Sequence, residues 1–200
     1  MFEDIAVIIL ASGLSKRMGK DKMLIKIKNK PIIVHTIQRY RELFREVIIV
    51  SSPKEKIIRI GAKNAKKVVV NSKPEEGMSR SIKLGLLCLS SKYSAFFLAL
   101  GDQPFIGPDT LHLIVNAYYK KRPKVVIPVY MGVRGNPVLF DISMVKSLYS
   151  SLKGDKGASH LIQKYLSETV FLELNDPGIS LDIDTPSDLK KAESLTERRT

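Results

Sequence analysis

The 200-residue sequence has one cysteine, no tryptophan and three histidines. A lone thiol, Cys88, excludes an intrachain disulfide and a cysteine metal cage. A small secreted disulfide scaffold is excluded with them, and a cytoplasmic location is the expectation. His35, His112 and His160 fall on separate expected helices without the spacing of a zinc-binding helix, so they are read as structural. No apolar run approaches the roughly twenty residues a membrane span needs. The first residues, MFEDIAVIILASG, carry acids where a leader peptide carries bases, and are not read as one. Acids are also scarce: 20 Asp and Glu stand against 33 Lys and Arg, a net charge of +13. Such a field attracts anions, whether nucleotides, phosphorylated metabolites or nucleic acid, without choosing among them. The bases are scattered through Lys16, Arg17, Lys20, Lys22, Lys26, Lys28, Lys30, Lys63, Lys66, Lys67 and residues 120–124, which reads as a solvated surface.

What is present is ordinary for a globular chain: 44% apolar and 26% charged residues. The length suits a single domain over residues 1–200, with a frayed tail at about 196–200. Residues 5–11 (IAVIILA) form a continuous β-branched run closed by Ser12-Gly13, the pattern of a strand buried on both faces. Residues 47–50 (VIIV), 68–70 (VVV), 95–100 (AFFLAL) and 125–129 (VVIPV) repeat it. Helical spacing lies between them. Pro31 opens a helix carrying Ile33, Ile37, Tyr40 and Phe44 on one side. Residues 79–89 form a second and residues 111–119 a third, opened by Pro108-Asp109. Cys88 falls on the apolar side of the second. Tyr118 and Tyr119 beside Lys120-Lys121-Arg122 read as a helix end bearing cations rather than a base-stacking surface. After residue 129, short extended pieces (138–140, 170–174) alternate with short helices (143–152, 158–166), and residues 186–195 read as a closing helix. The expectation is an α/β domain, a Rossmann-like mixed, mostly parallel sheet flanked by helices.

Ligands of such sheets bind at the carboxyl ends of the strands. The first run feeds a loop of small residues and then bases, Leu10-Ala11-Ser12-Gly13-Leu14-Ser15-Lys16-Arg17-Met18-Gly19-Lys20-Asp21-Lys22. Gly13 permits close backbone approach, and loop N–H groups with Arg17 and Lys22 can hold a triphosphate. The loop is neither a Walker loop nor a dinucleotide fingerprint. Asp102, in Gly101-Asp102-Gln103-Pro104, follows the most apolar strand. Asp182-Ile183-Asp184-Thr185-Pro186 adds acids before a helix. Asp102 and Asp184 can converge on one Mg²⁺, which takes few protein oxygens and keeps phosphate and water; a loop carboxylate and a helix cap are the plainer readings of each alone.

Taken together, LASGLSKRMGKDK resembles the LAxGxSxRMGxxK signature of the MobA-like nucleotidyltransferases. EGMSRSI (76–82), GDQP (101–104), RGNPVLF (134–140), GDKGA (154–158) and DIDTP (182–186) match later blocks of that family in order. The resemblance covers residues 5–189 and implies a nucleotide-diphospho-sugar-transferase-like fold with a mixed sheet of about seven strands. It implies a reaction in which a substrate phosphate attacks the α-phosphorus of an NTP and pyrophosphate leaves. It places Leu10, Ala11, Ser12 and Gly13 at the base and ribose, Arg17 and Lys22 on the triphosphate, Asp102 and Asp184 on Mg²⁺ (Mn²⁺ as the alternative), and Ser81 near the base. Gly135, Asn136, Pro137, Gly154, Asp155 and Gly157 fall on the acceptor side. There Asn136 and Ser159 depart from the family's His and Arg. The nucleophile is already ionised, so charge stabilisation by Lys22, Arg17 and the metal carries the chemistry.

Within the family, guanylyl transfer goes with LAGG and a GPLAG-like block, and cytidylyl transfer with an alanine-rich loop and an EGxxxS block. LASG and EGMSRSI favour CTP over GTP, with molybdopterin as the acceptor and a molybdoenzyme or chaperone as a further partner. The competing readings are a guanylyltransferase, transfer to another phosphorylated acceptor, and a non-catalytic nucleotide- or nucleic-acid-binding protein.

Overall fold

The computed structural model describes residues 1–13, 21–154, 158–183 and 188. The first strand, β1 (Phe2–Ala11), has residues 5–9 fully buried. A small antiparallel hairpin follows, β2 (Lys26–Ile27) with β3 (Lys30–Pro31). Then come α1 (Ile32–Arg41), β4 (Phe44–Ser51), α2 (Glu55–Asn64), β5 (Lys67–Val70), α3 (Met78–Leu86) and β6 (Ala95–Leu100). The second half contains α4 (Pro108–Lys121), β7 (Val125–Tyr130), β8 (Val133–Arg134), β9 (Val138–Asp141), α5 (Met144–Ser151), α6 (Ser159–Lys164) and β10 (Thr169–Glu173).

The main sheet runs β10-β7-β9-β6-β1-β4-β5, with β8 as a short addition to β7. The β1, β4, β5 and β6 pairings are parallel, as is β10 with β7. β9 is antiparallel to both neighbours, β6 and β7. The sheet is therefore mixed and mostly parallel, as the apolar runs predict.

Alternation along β1 explains why its sequence is continuously apolar. Ile5, Val7, Ile9 and Ala11 enter a core layer with residues of α1, α2 and α4, such as Ile37, Ile57 and Ile114. Ala6 and Ile8 enter the opposite layer with residues of α3, α5 and α6, such as Ile82, Leu148 and Leu161. A strand covered by helices on both sides has no polar face.

Several boundaries differ from the sequence expectation. Phe44, expected on a helix, begins β4. Its ring still lies 6.3 Å from Tyr40 in the same core layer, so its apolar spacing is real although the element changes. α3 stops at Leu86, and Cys88 sits half-buried in the following turn, its thiol donating to the Leu84 carbonyl at 3.5 Å. The structure adds α2 and the β2–β3 hairpin to the elements the sequence predicts. The expected closing helix at 186–195 lies outside the described residues. Among the described residues, no helix is long and apolar enough to cross a membrane.

Tyr118 and Tyr119 are structural. The one proton of the Tyr118 hydroxyl is shared between the Ser94 carbonyl at 2.7 Å and Asp141 at 2.8 Å, and the Tyr119 hydroxyl donates to Asp4 at 2.5 Å. The Arg122 guanidinium lies 5.0 Å from both ring centres. His35 meets the Ile27 carbonyl at 2.8 Å, and His112 lies against Phe2 with ring centres 5.4 Å apart.

Candidate active site

From β1 the chain passes to β4 and β5 on one side, then returns to β6 on the other. That reversal opens a crevice at the carboxyl ends of β1 and β6, where ligands of open α/β sheets bind. Leu10, Ala11, Ser12 and Gly13 leave β1 at this point, and Gly101, Asp102 and Gln103 leave β6 beside them. The Gly101 N–H donates to the Leu10 carbonyl at 3.0 Å, and the Thr36 hydroxyl of α1 donates to the Gly101 carbonyl at 2.9 Å. A Cβ on Gly101 would lie 3.1 Å from that Leu10 oxygen and 3.1 Å from the Met23 sulfur, so the close approach favours glycine. Among the described residues, nothing lies within 4 Å of where a Cβ on Gly13 would be.

The ammonium of Lys22 forms an ion pair with Oδ2 of Asp102, 80 residues away in sequence. Lys22 opens a short 3-10 turn, Lys22–Leu24, capped by Asp21, whose carboxylate accepts from the Met23 N–H at 3.2 Å. Buried Met23 anchors the turn. Lys54, just before α2, pairs with Asp21 at 2.7 Å. Lys22 and the carboxylate after β6 thus meet in one place.

A second meeting joins Ser12 and Ser81, whose hydroxyl oxygens lie 2.5 Å apart across 69 residues of sequence. Ser81 projects from α3. Asn71, just beyond β5, donates from Nδ2 to the Ser81 hydroxyl at 2.9 Å and accepts at Oδ1 from Arg80 Nε at 3.0 Å. Arg80 also pairs with Glu76 at 2.7 Å; the bond from Arg80 holds the Glu76 carboxyl below the usual carboxylate range. Asn71 carries no sequence signal, because its partners come from other elements; Arg80 and Gln103 stand in the EGMSRSI and GDQP blocks, which alone give them no role.

The expected acceptor residues sit on the neighbouring strand ends. The Gly135 N–H donates to the Pro128 carbonyl and the Asn136 N–H to the Ile179 carbonyl, each at 2.8 Å. A Cβ on Gly135 would lie 2.6 Å from the Ile179 oxygen. Pro137 follows a cis peptide bond and is buried. Gln103 donates to the same Ile179 carbonyl at 3.4 Å and to Asp182 at 2.7 Å, and the Ile183 N–H donates to the Asp102 carbonyl at 3.4 Å. Residues 179–183 therefore stitch the Asp102 turn to the Gly135–Asn136 segment. Gly154 accepts the Ser79 N–H at 3.1 Å, near the start of α3. Arg17, Asp155, Gly157 and Asp184 lie outside the described residues.

Among the described residues, no group of three or more histidine, cysteine or acidic side chains gathers to form a metal cage. A separate groove of about 580 Å³ lies between the hairpin region and α2, lined by Leu24, Lys26, Pro31 and Lys56 among others, and none of the expected site residues lines it.

The strand reversal and the mixed sheet define an open α/β protein whose ligands bind at the strand ends. Comparison with known proteins gives the family. The MobA-like NTP transferase domain matches residues 7–170, and the chain belongs to that family. It is 31% identical to a probable molybdenum cofactor guanylyltransferase of Natranaerobius thermophilus over 96% of both chains. It is 24% identical to the molybdenum cofactor cytidylyltransferase of Escherichia coli, over 95% of this chain and 96% of that one. In structure it is similar to Rv0371c of Mycobacterium tuberculosis, with a TM-score of 0.84 at 25% identity over 97% of this chain and 99% of that one. A manganese complex of that mycobacterial protein is similar at a TM-score of 0.79 and 23% identity, over 96% of this chain and 98% of that one.

Proposed function

We propose that the protein transfers a nucleoside monophosphate from an NTP, with CTP favoured over GTP, to the phosphate of molybdopterin and releases pyrophosphate. The observation that carries the reading is the meeting of Lys22 with Asp102 beside the Ser12–Ser81 pair, at the crevice where the strand order reverses. A plain binding module does not require the metal-holding carboxylates, Asp102 and, by family resemblance, Asp184, together with Arg17 and Lys22.

The residues fit a divalent cation. Asp102 supplies a hard oxygen donor that already carries a positive partner, and Mg²⁺ requires only one or two protein carboxylates when phosphate and water complete its shell. Asp102 and, by family resemblance, Asp184 would hold it. When bound, the cation supplies charge neutralisation on the triphosphate and the departing pyrophosphate; Mn²⁺ is the alternative.

The chain's own groups then have distinct tasks. The Lys22 ammonium turns from Asp102 to the triphosphate, so that the charge balancing the carboxylate in the free protein balances the transferring phosphoryl group in the complex. Arg17, from the same loop, adds a second cation. Leu10, Ala11, Ser12 and Gly13 line the base and ribose, with Ser81 beside them. Gly135, Asn136, Pro137 and the glycine loop at 154–157 orient the acceptor, which needs positioning rather than a general base, because its phosphate is ionised near neutral pH.

The hydroxyl at Ser12, held against Ser81, takes up room that a glycine would leave to a purine, and this supports CTP. The similarity to a protein named as a guanylyltransferase supports GTP as the second reading. Pyrophosphate release with each of the four NTPs, with and without molybdopterin and in Mg²⁺ or Mn²⁺, tests both. The expected result is acceptor-dependent turnover fastest with CTP. Fastest turnover with GTP selects the second reading, and no turnover with any nucleotide overturns both.

A further inference from the structure

The hydrogen bonds behind Ser12 have one consistent proton assignment among the described residues. Asn71 is fully buried, and its backbone N–H is fixed to the Ser51 carbonyl at 2.7 Å. Its side-chain oxygen meets two groups that can only donate, the Lys73 N–H at 3.0 Å and Arg80 Nε at 3.0 Å. Only an oxygen satisfies both, which sets the orientation of the amide. Its nitrogen therefore faces the Ser81 hydroxyl at 2.9 Å, and a nitrogen of this kind can only donate. Ser81 is 2% exposed, and the acceptor left for its own proton is Ser12 Oγ at 2.5 Å. Ser12 thus receives a proton from Ser81 and directs its own elsewhere. It is also the member of the pair that keeps some exposure, 8%, at the carboxyl end of β1.

We infer that Asn71, oriented by Arg80, is a specificity-determining positioning residue: the relay Arg80–Asn71–Ser81–Ser12 makes the Ser12 hydroxyl a hydrogen-bond donor toward the nucleobase. The site then selects a base that offers an acceptor there, such as the ring nitrogen or carbonyl of cytosine. The inference rests on the nucleotide site proposed above and goes beyond it by assigning the polarity of its base-reading group. Glu76, paired with the other end of Arg80, anchors the relay.

Asn71→Asp reverses the relay with almost no change in size. A carboxylate at 71 takes the proton of Ser81, Ser81 takes that of Ser12, and Ser12 presents a lone pair instead. The expected result is a shift of roughly tenfold or more in the ratio of kcat/KM for CTP to that for GTP, toward the nucleotide the native protein disfavours, since a buried hydrogen bond traded for a mismatch has that effect. In a Ser12→Ala background the same substitution is expected to leave the ratio unchanged, because the group whose polarity it controls is gone. General loosening of the core does not produce that dependence. A folded Asn71→Asp protein that scales both nucleotides equally overturns the inference, as does a shift of the same size in the Ser12→Ala background.

Should Asn71→Asp fail to fold, Ser81→Ala removes the group that fixes the Ser12 proton; a smaller change of the ratio in the same direction is expected, and an unchanged ratio overturns the inference. Calorimetric titration with CTP and GTP reads the selectivity without turnover. An inactive native protein whose CTP:GTP affinity ratio still responds to Asn71→Asp upholds the relay and refutes only the proposed reaction.

Discussion

Replacing Lys22 by methionine separates two roles that a loss of activity alone would merge. In the free protein, the ammonium sits on the Asp102 carboxylate, and the two side chains retain 15% and 11% of their exposure. Exposed ion pairs contribute about 0–1 kcal/mol, whereas breaking a fully buried pair costs about 3–5 kcal/mol. This nearly enclosed pair falls between, at about 1–2 kcal/mol. A divalent cation arriving at Asp102 has to displace that ammonium. Lys22→Met is therefore expected to bind Mn²⁺ about 5–30-fold more tightly in the absence of nucleotide. The same variant is expected to lose roughly 10²-fold or more in pyrophosphate release, because the triphosphate loses a preorganised cation. Mn²⁺ binding is read by electron paramagnetic resonance or calorimetry on the nucleotide-free protein, with Asp102→Asn as the variant expected to lose the ion in either background. Unchanged or weaker Mn²⁺ binding in a folded Lys22→Met protein refutes the competition on which this reasoning depends.

Dialysis against a chelator is expected to abolish pyrophosphate release, with recovery on adding Mg²⁺ or Mn²⁺; full activity in metal-free buffer would remove the metal-binding role of Asp102. Gly178→Ala is expected to destabilise the fold by about 1–3 kcal/mol, because its Cβ would lie 2.3 Å from the Phe105 carbonyl oxygen; a melting temperature equal to that of the native protein contradicts this. Burial, with the Asp141 hydrogen bond adding to it, pushes the Tyr118 hydroxyl up to about 12. A raised value favours the protonated folded state, so this contribution is intact below the ordinary tyrosine value of about 10 and is lost as pH rises through about 12. Denaturant unfolding followed across that interval is expected to show a smaller loss of stability in Tyr118→Phe than in the native protein.

Some of this architecture is legible in the chain because it is local. Residues 5–11 and 95–100 are buried from both sides, and a strand covered on both faces leaves an unbroken apolar run. Asp102 stands out because it ends such a run. Lys22 and Ser12 stand out because they belong to a signature loop; their partners, Asp102 and Ser81, lie 80 and 69 residues away and are seen only in the fold. The residues that were not legible act across the fold. Asn71 sits between a valine run and a turn, with nothing in its neighbourhood to mark a buried amide whose partners lie on β4 and α3. Gln103 stands in the GDQP block, but its role shows only once Ile179 and Asp182 are seen beside it. Helix α2 escaped because its apolar side is narrow, with Ile57 the large apolar residue that is buried, and Phe44 was drawn into a helix because a strand and a helix can supply the same core layer.

The placement of β9 between β6 and β7 has a consequence for how the chain is made. β7 is synthesised before β9, yet it joins β6 only through β9. As the polypeptide leaves the ribosome, the parallel half built on β1, β4, β5 and β6 can close by itself. The segment 125–130 then waits for residues 138–141 before it has a place to dock. The antiparallel pair β7–β9 is thus expected to be added as one preassembled unit, which brings the turn at 135–137 to the carboxyl end of β6 in a single late event.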